Sequence, residues 1–311
     1  MRKLKKYSSV LPIQIGAMAL TFMMSACAVK PSSDMDSPAY HHKAGMRHLD
    51  MDEYDGAVNS FTRAIELDKK FAVSYAGLGI AYANLKDKKK ARKNAAKAEG
   101  IAGKDPQVLA LCGKVYIDLR DQDKKWHKDA RKLLKKALKR KKGHELATYY
   151  TGEMHLYLYE FTDAEDYFRS VVEMKGEHSG RADKMWQLSQ KIVRAMPGTD
   201  VGKKVALYEK ITRADLAVLL AEELKISKLM ERKTTPSTGF QTPSQASVSG
   251  SMAPSDSKGH WAETWINEMS KYGILEGAPG QPFYPDESVN RAEYALAIQR
   301  ILSIVTGDAG L

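Results

Sequence analysis

The sequence predicts a mostly all-α protein: a solenoid of about four antiparallel helix pairs closed by a further helix, followed by a small helical C-terminal unit. Three observations predict it. The chain matches itself at a shift of 34 residues, small and apolar residues recur inside each unit at helical spacing, and two copies of one helix-start motif stand 78 residues apart near the C-terminus.

In chain order, the first element is an export leader. Arg2, Lys3, Lys5 and Lys6 precede a nearly continuous apolar run from Val10 to Met24, which ends at Ser25-Ala26-Cys27. The run contains Pro12 and Gln14 and falls short of the roughly 20 apolar residues a spanning helix needs. Small residues just before a cysteine resemble the lipobox of bacterial lipoproteins, with Met24 where that family usually has leucine. The resemblance implies cleavage after residue 26, lipid on Cys27 and, with Ala28 rather than aspartate next, an outer-membrane anchor facing the periplasm. Residues 27–37 then read as a tether. Cys112 is the only other cysteine, so the mature chain has no internal disulfide to form and Cys112 is expected inside a helix.

Residues 38–196 carry the repeats. Gly45, Gly79 and Gly113 align, as do His48, Tyr82 and Tyr116, then Ala57 with Ala91 and Ala64 with Ala98. Small residues let paired helices approach, and Phe61 or Tyr82 fills the space between them. This pattern resembles tetratricopeptide repeats. A third unit resumes at Ala130 after five extra residues near Arg120–Lys128, a fourth carries Gly152, Ala164 and Phe168, and Ala182–Met196 reads as the capping helix. The resemblance implies a concave face lined by the first helix of each pair, here Met46, Leu49, Val73, Ile80, Lys114, Ile117, Tyr149, Glu153 and Tyr157. Such a groove takes a peptide or an amphipathic helix of a protein partner, and the alternative is that several of these residues only pack first helix against first helix.

Net charge is +11, and residues 86–142 alone hold 21 Lys/Arg against 7 Asp/Glu. That stretch falls mainly on second helices, at 88–97 and 128–142, and is read as a solvated convex face, with anionic lipid headgroups, lipopolysaccharide or acidic wall polymer as the alternative takers. Export argues against a nucleic-acid partner.

The last region, 197–311, contains Ile211-Thr-Arg-Ala-Asp215 before one apolar-periodic run and Val289-Asn-Arg-Ala-Glu293 before another. Each is a capping box, with Thr212 or Asn290 as the cap. Arginine beside a helix N-terminus is anion-binding chemistry. Between the copies come Asp256, Trp261-Ala262, Gly273-Ile274, Gly277 and Phe283-Tyr-Pro285. This order resembles one complete S-layer homology repeat, with a half repeat ahead of it at 210–229. The resemblance implies binding to cell-wall polysaccharide or peptidoglycan through Arg213 and Arg291, with Trp261 and Gly277 beside them. A Ser/Thr/Pro-rich insert at about 233–257 reads as a disordered loop.

No metal spacing, nucleophile motif or phosphate-binding loop stands out, so the sequence predicts a protein that is not an enzyme and needs no cofactor. The predicted role is a membrane-anchored envelope scaffold. The alternative is an outer-membrane assembly factor for a secretin, pilus or polysaccharide-export machine, with the C-terminal unit only structural.

Overall fold

The protein is seen in a computed structural model that describes residues 36–226, 228–229, 253–276 and 280–306. The leader, Cys27, most of the 233–257 insert and Gly277 lie outside these residues. What is described is almost entirely α-helical, with a single isolated β-bridge between Thr212 and Ser288.

Nine helices form the stack: α1 (Pro38–Asp50), α2 (Tyr54–Leu67), α3 (Ala72–Asn84), α4 (Lys88–Ala102), α5 (Pro106–Asp118), α6 (Trp126–Arg140), α7 (Glu145–Tyr157), α8 (Phe161–Met174) and α9 (Ser179–Ala195). Starts are set by side chains that accept from free backbone N–H groups. Ser37 caps α1, Asp87 caps α4 through Lys90 N at 2.9 Å, and Asp105 caps α5, whose first residue is Pro106. Three helix pairs turn in the same way: Asp52, Lys86 and Tyr159 stand at matching positions with φ of 59°, 63° and 61°. A single left-handed residue reverses the chain there.

The third turn is different. Residues 119–125 separate α5 from α6, whereas three residues suffice between α3 and α4. The added length places Asp123 against α4, where its carboxylate takes Lys88 at 3.2 Å and also Arg92.

Each second helix buries residues at one repeating spacing: Ala57, Phe61 and Ala64; Ala91, Ala95 and Ala98; Ala130, Leu134 and Ala137; Ala164, Phe168 and Val171. Opposite them stand glycines. Phe61 is wedged between helices so tightly that a Cβ on Gly45 or Gly77 would lie 2.6 or 2.5 Å from its ring. Gly77→Ala is therefore expected to destabilise the stack by about 1–3 kcal/mol through overpacking. Urea unfolding measures this, and Phe61→Leu added to Gly77→Ala should recover part of the loss. An unchanged midpoint for the single variant would show that the ring yields freely.

After the stack come α10 (Asp200–Val205), α11 (Arg213–Glu222), α12 (Glu263–Lys271) and α13 (Arg291–Thr306). The last three share a second core built on Leu216, Leu220, Ile266, Met269, Phe283 and Ile301. The α10 segment lies between the cores: Val201 packs on the second, Ala206 and Leu207 on the first.

Candidate functional site

The concave face is built from first helices, each giving one to three residues. Met46, Leu49 and Asp50 of α1, Ile80 and Asn84 of α3, and Lys114 and Asp118 of α5 line one cavity of about 170 Å³, with Tyr150 of α7 and Arg181 of α9. Its floor is ionic. Lys114 Nζ donates to Asp118 and, at 2.9 Å, to Glu153 of α7, while Asn84 donates to Asp118 at 3.2 Å.

Burial works against the charge on Lys114, but Asp118 and Glu153 outweigh it and hold its pKa well above the usual lysine range. Burial pushes the Asp118 carboxyl up against the pull of Lys114. The second oxygen of Glu153 is buried and has no hydrogen-bond partner among the described residues. Across the mouth, Arg181 reaches Asp50 at 3.1 Å, joining α9 to α1. The stack therefore curls until its two ends meet over the cavity.

Among the predicted groove residues, Met46, Leu49, Ile80 and Lys114 line this cavity and Glu153 touches it through Lys114. Tyr149 is 6% exposed, packed against Phe168, Tyr150 and His178 with Arg181 over its ring. Ile117 is fully buried. Both pack helix on helix and present little to a partner, which corrects their reading as groove contacts. Tyr157 lies apart, its ring 4.0 Å from the guanidinium carbon of Arg120, in a hollow of about 480 Å³ shared with Trp126, Lys204 and Tyr208. Asp50, Asn84, Asp118 and Arg181 were not predicted. Their nearest sequence signal was the run of first helices itself.

Cys112 is buried in α5, its Sγ donating to Ala95 O at 3.5 Å, and burial pushes the thiol pKa up to about 12. It is a packing residue.

In the C-terminal unit both predicted capping boxes are present. Thr212 and Asp215 exchange side-chain and backbone bonds at 2.9 and 3.1 Å, and Asn290 and Glu293 do so at 2.9 and 3.0 Å. The two arginines part company. Arg213 donates Nε to Phe283 O at 2.7 Å, one terminal nitrogen to Glu293 at 2.6 Å and the other to Glu276 O at 2.8 Å, and it lies over the Phe283 ring.

The free N–H groups that begin α11 are also taken, with Arg213 N bonded to Glu287 O and Ala214 N to Pro285 O. The first copy is thus a clasp between the start of α11 and residues 276–293 rather than an open anion site, which corrects the expectation for Arg213. Asp256 completes the clasp by accepting from Phe283 N and Tyr284 N at 2.6 and 2.8 Å. Burial opposes its charge, yet these N–H groups hold its carboxyl below the usual range. Arg291 is exposed with no partner among the described residues, and Trp261 is 59% exposed beside Trp265.

Among the described residues one group has metal-ligand proximity: His155, Glu160 and Asp163, with ligand atoms within 4.8 Å. Its core is a helix-to-helix clasp, since His155 bonds Glu160 at 2.6 Å as His48 bonds Glu53 at 2.6 Å in the first pair.

These features define a helical repeat scaffold joined to a small helical unit. Comparison with known families matches residues 42–106 to the tetratricopeptide repeat and residues 255–295 to the S-layer homology domain. A comparison with curated proteins finds no match. Both matched modules are non-catalytic: the first is suited to binding a protein partner and the second to the cell wall, and both are typical of cell-envelope-associated proteins. No described helix is long and apolar enough to cross a membrane.

Proposed function

We propose that the chain is a lipid-anchored scaffold of the bacterial cell envelope, sited at the outer membrane and facing the periplasm. Residues 1–26 are removed, Cys27 carries the lipid, and 27–37 form the tether. Residues 38–196 are four tetratricopeptide units with α9 as the cap, and 197–311 are the wall-facing domain. The observation that carries this reading is the joining of a partner-binding stack and a wall-binding module behind a leader that ends in Ser25-Ala26-Cys27. The acyl chains give permanent anchoring because each buried methylene adds about 0.8 kcal/mol.

Wall contact is assigned to Arg291 and Trp261, whose side chains face solvent, with Gly277 between them in sequence. An exposed tryptophan can stack on a sugar ring and an exposed, unpaired arginine can pair with an acidic substituent, so each suits such a polymer. The full chain should sediment with purified cell-wall sacculi, and Arg291→Ala with Trp261→Ala should weaken that by about tenfold, equivalent to about 1.4 kcal/mol. No sedimentation of the wild type would sink the wall half. Labelling with radioactive palmitate tests the anchor, since Cys27→Ser should abolish incorporation.

A second reading is favoured by the cavity on the concave face, lined by Met46, Leu49, Ile80 and Lys114, which offers a recess for a side chain of a protein partner. The chain would then be an assembly factor for a secretin, pilus or polysaccharide-export machine. Pull-down from solubilised envelope separates the readings: under this one the wild type brings down a secretin, pilus or export component that Met46→Asp loses, and the chain does not sediment with sacculi.

A further inference from the structure

We propose that the outer face of α4 and α6 is a docking surface for an anionic phospholipid bilayer. The two helices run side by side, tied by Arg92–Asp129 at 3.3 Å near one end and Lys136–Glu99 at 2.9 Å nearer the other. Measured from the buried alanines, Lys89 and Lys93 of α4 occupy the positions of Lys128 and Lys132 of α6. All four are exposed and outside every ion pair, as are Lys135 and Lys139. They form one outward band.

A solvated helix face needs no such bias, and the same fold supplies the control. At the matching positions α2 has Asp55 and Asn59, and α8 has Thr162 and Asp166. The α4 helix carries six Lys/Arg against one acid and α6 seven against one, whereas α2 carries one against two and α8 one against four. The basic charge is therefore confined to the two middle pairs and is not a requirement of the repeat.

The occupant follows from what the face lacks and holds. No large hydrophobic residue between 86 and 142 is exposed, so there is no stacking platform for single-stranded bases and no wedge to insert into acyl chains. What remains is a sheet of separate ammonium groups, each attracted to a surface of anionic headgroups and screened by salt. In preferring a bilayer to other polyanions the inference rests on the proposed envelope location. Contact would hold the stack flat along the membrane near its anchor.

The test uses the full chain and vesicles of phosphatidylcholine with or without phosphatidylglycerol, scored by co-sedimentation. The leader is common to all variants, so the readout is the preference for anionic vesicles. Lys89→Gln with Lys93→Gln, Lys128→Gln and Lys132→Gln should reduce that preference by about 100-fold at low salt. The control Lys184→Gln with Lys191→Gln, on α9, should leave it within about twofold. An equal loss per charge removed in the two variants would reduce the effect to net charge and overturn the inference. So would an unchanged preference in the fourfold variant, or duplex DNA that displaces the vesicles at physiological salt. Failure here leaves palmitate labelling at Cys27 untouched, so the two readings fall separately.

Discussion

Arg213→Ala is expected to unfold the C-terminal unit, at a loss of about 3–5 kcal/mol, while Arg291→Ala stays within about 0.5 kcal/mol of the wild type. The two arginines occupy the same place in two copies of one motif, and the contrast comes from their surroundings. Arg213 is 13% exposed and satisfies two backbone carbonyls and Glu293 with one planar group. Its removal leaves Phe283 O and Glu276 O without their donor and Glu293 without its cation. Arg213→Lys should recover little, because an ammonium has no fork to reach three acceptors on different segments. Trp265 reports the event, since its indole N–H bonds Glu222 of α11 at 2.8 Å across the same core. Thermal melts followed by tryptophan emission check the difference. Equal melting of the two alanine variants would mean that the clasp contributes nothing.

The copies Thr-Arg-Ala-Asp and Asn-Arg-Ala-Glu predicted both helix starts correctly, because a capping box is local chemistry read from four residues. Which copy is covered is not local. It depends on Phe283, Glu276 and Glu287, 63 to 74 residues beyond Arg213 in the chain. The repeat stack follows the same rule. Glycine and alanine spacing placed the helices and their buried rows, since each row is set within one helix pair.

Closure of the stack was not legible, because the Arg181–Asp50 contact joins residues 131 apart and arises from curvature summed over all the pairs. Tyr149 shows a related limit: the pattern placed it on a first helix, but only the rings of Phe168 and His178 decide that it faces inward. The longer third turn was visible as five extra residues, while its use as an anchor for Lys88 and Arg92 was not.

Lys114→Met is expected to weaken the stack by about 3–5 kcal/mol at pH 7 and by progressively less as pH falls. In the wild type the ammonium counters burial at Asp118 and bonds Glu153, and its own raised pKa keeps it charged well above neutrality. Methionine fills a similar volume but leaves Asp118 and Glu153 facing each other. Burial then acts unopposed on Asp118, whose folded-state pKa rises further above its unfolded value of about 4. A folded state that holds a proton more tightly than the unfolded chain loses stability as pH rises through that raised value, and regains it on acidification. Wild-type stability has no such dependence from Lys114 in this range, because a raised lysine pKa contributes fully below about 10.5 and is lost only above it. Denaturant unfolding of both proteins from pH 4 to pH 8 should therefore show curves that diverge with pH. Adding Asp118→Leu and Glu153→Leu to Lys114→Met should close the gap, since a buried ion cluster is often replaceable by apolar packing of similar volume. A gap between wild type and the single variant that stays constant with pH would mean that the cluster is solvated and that Lys114 acts only through packing.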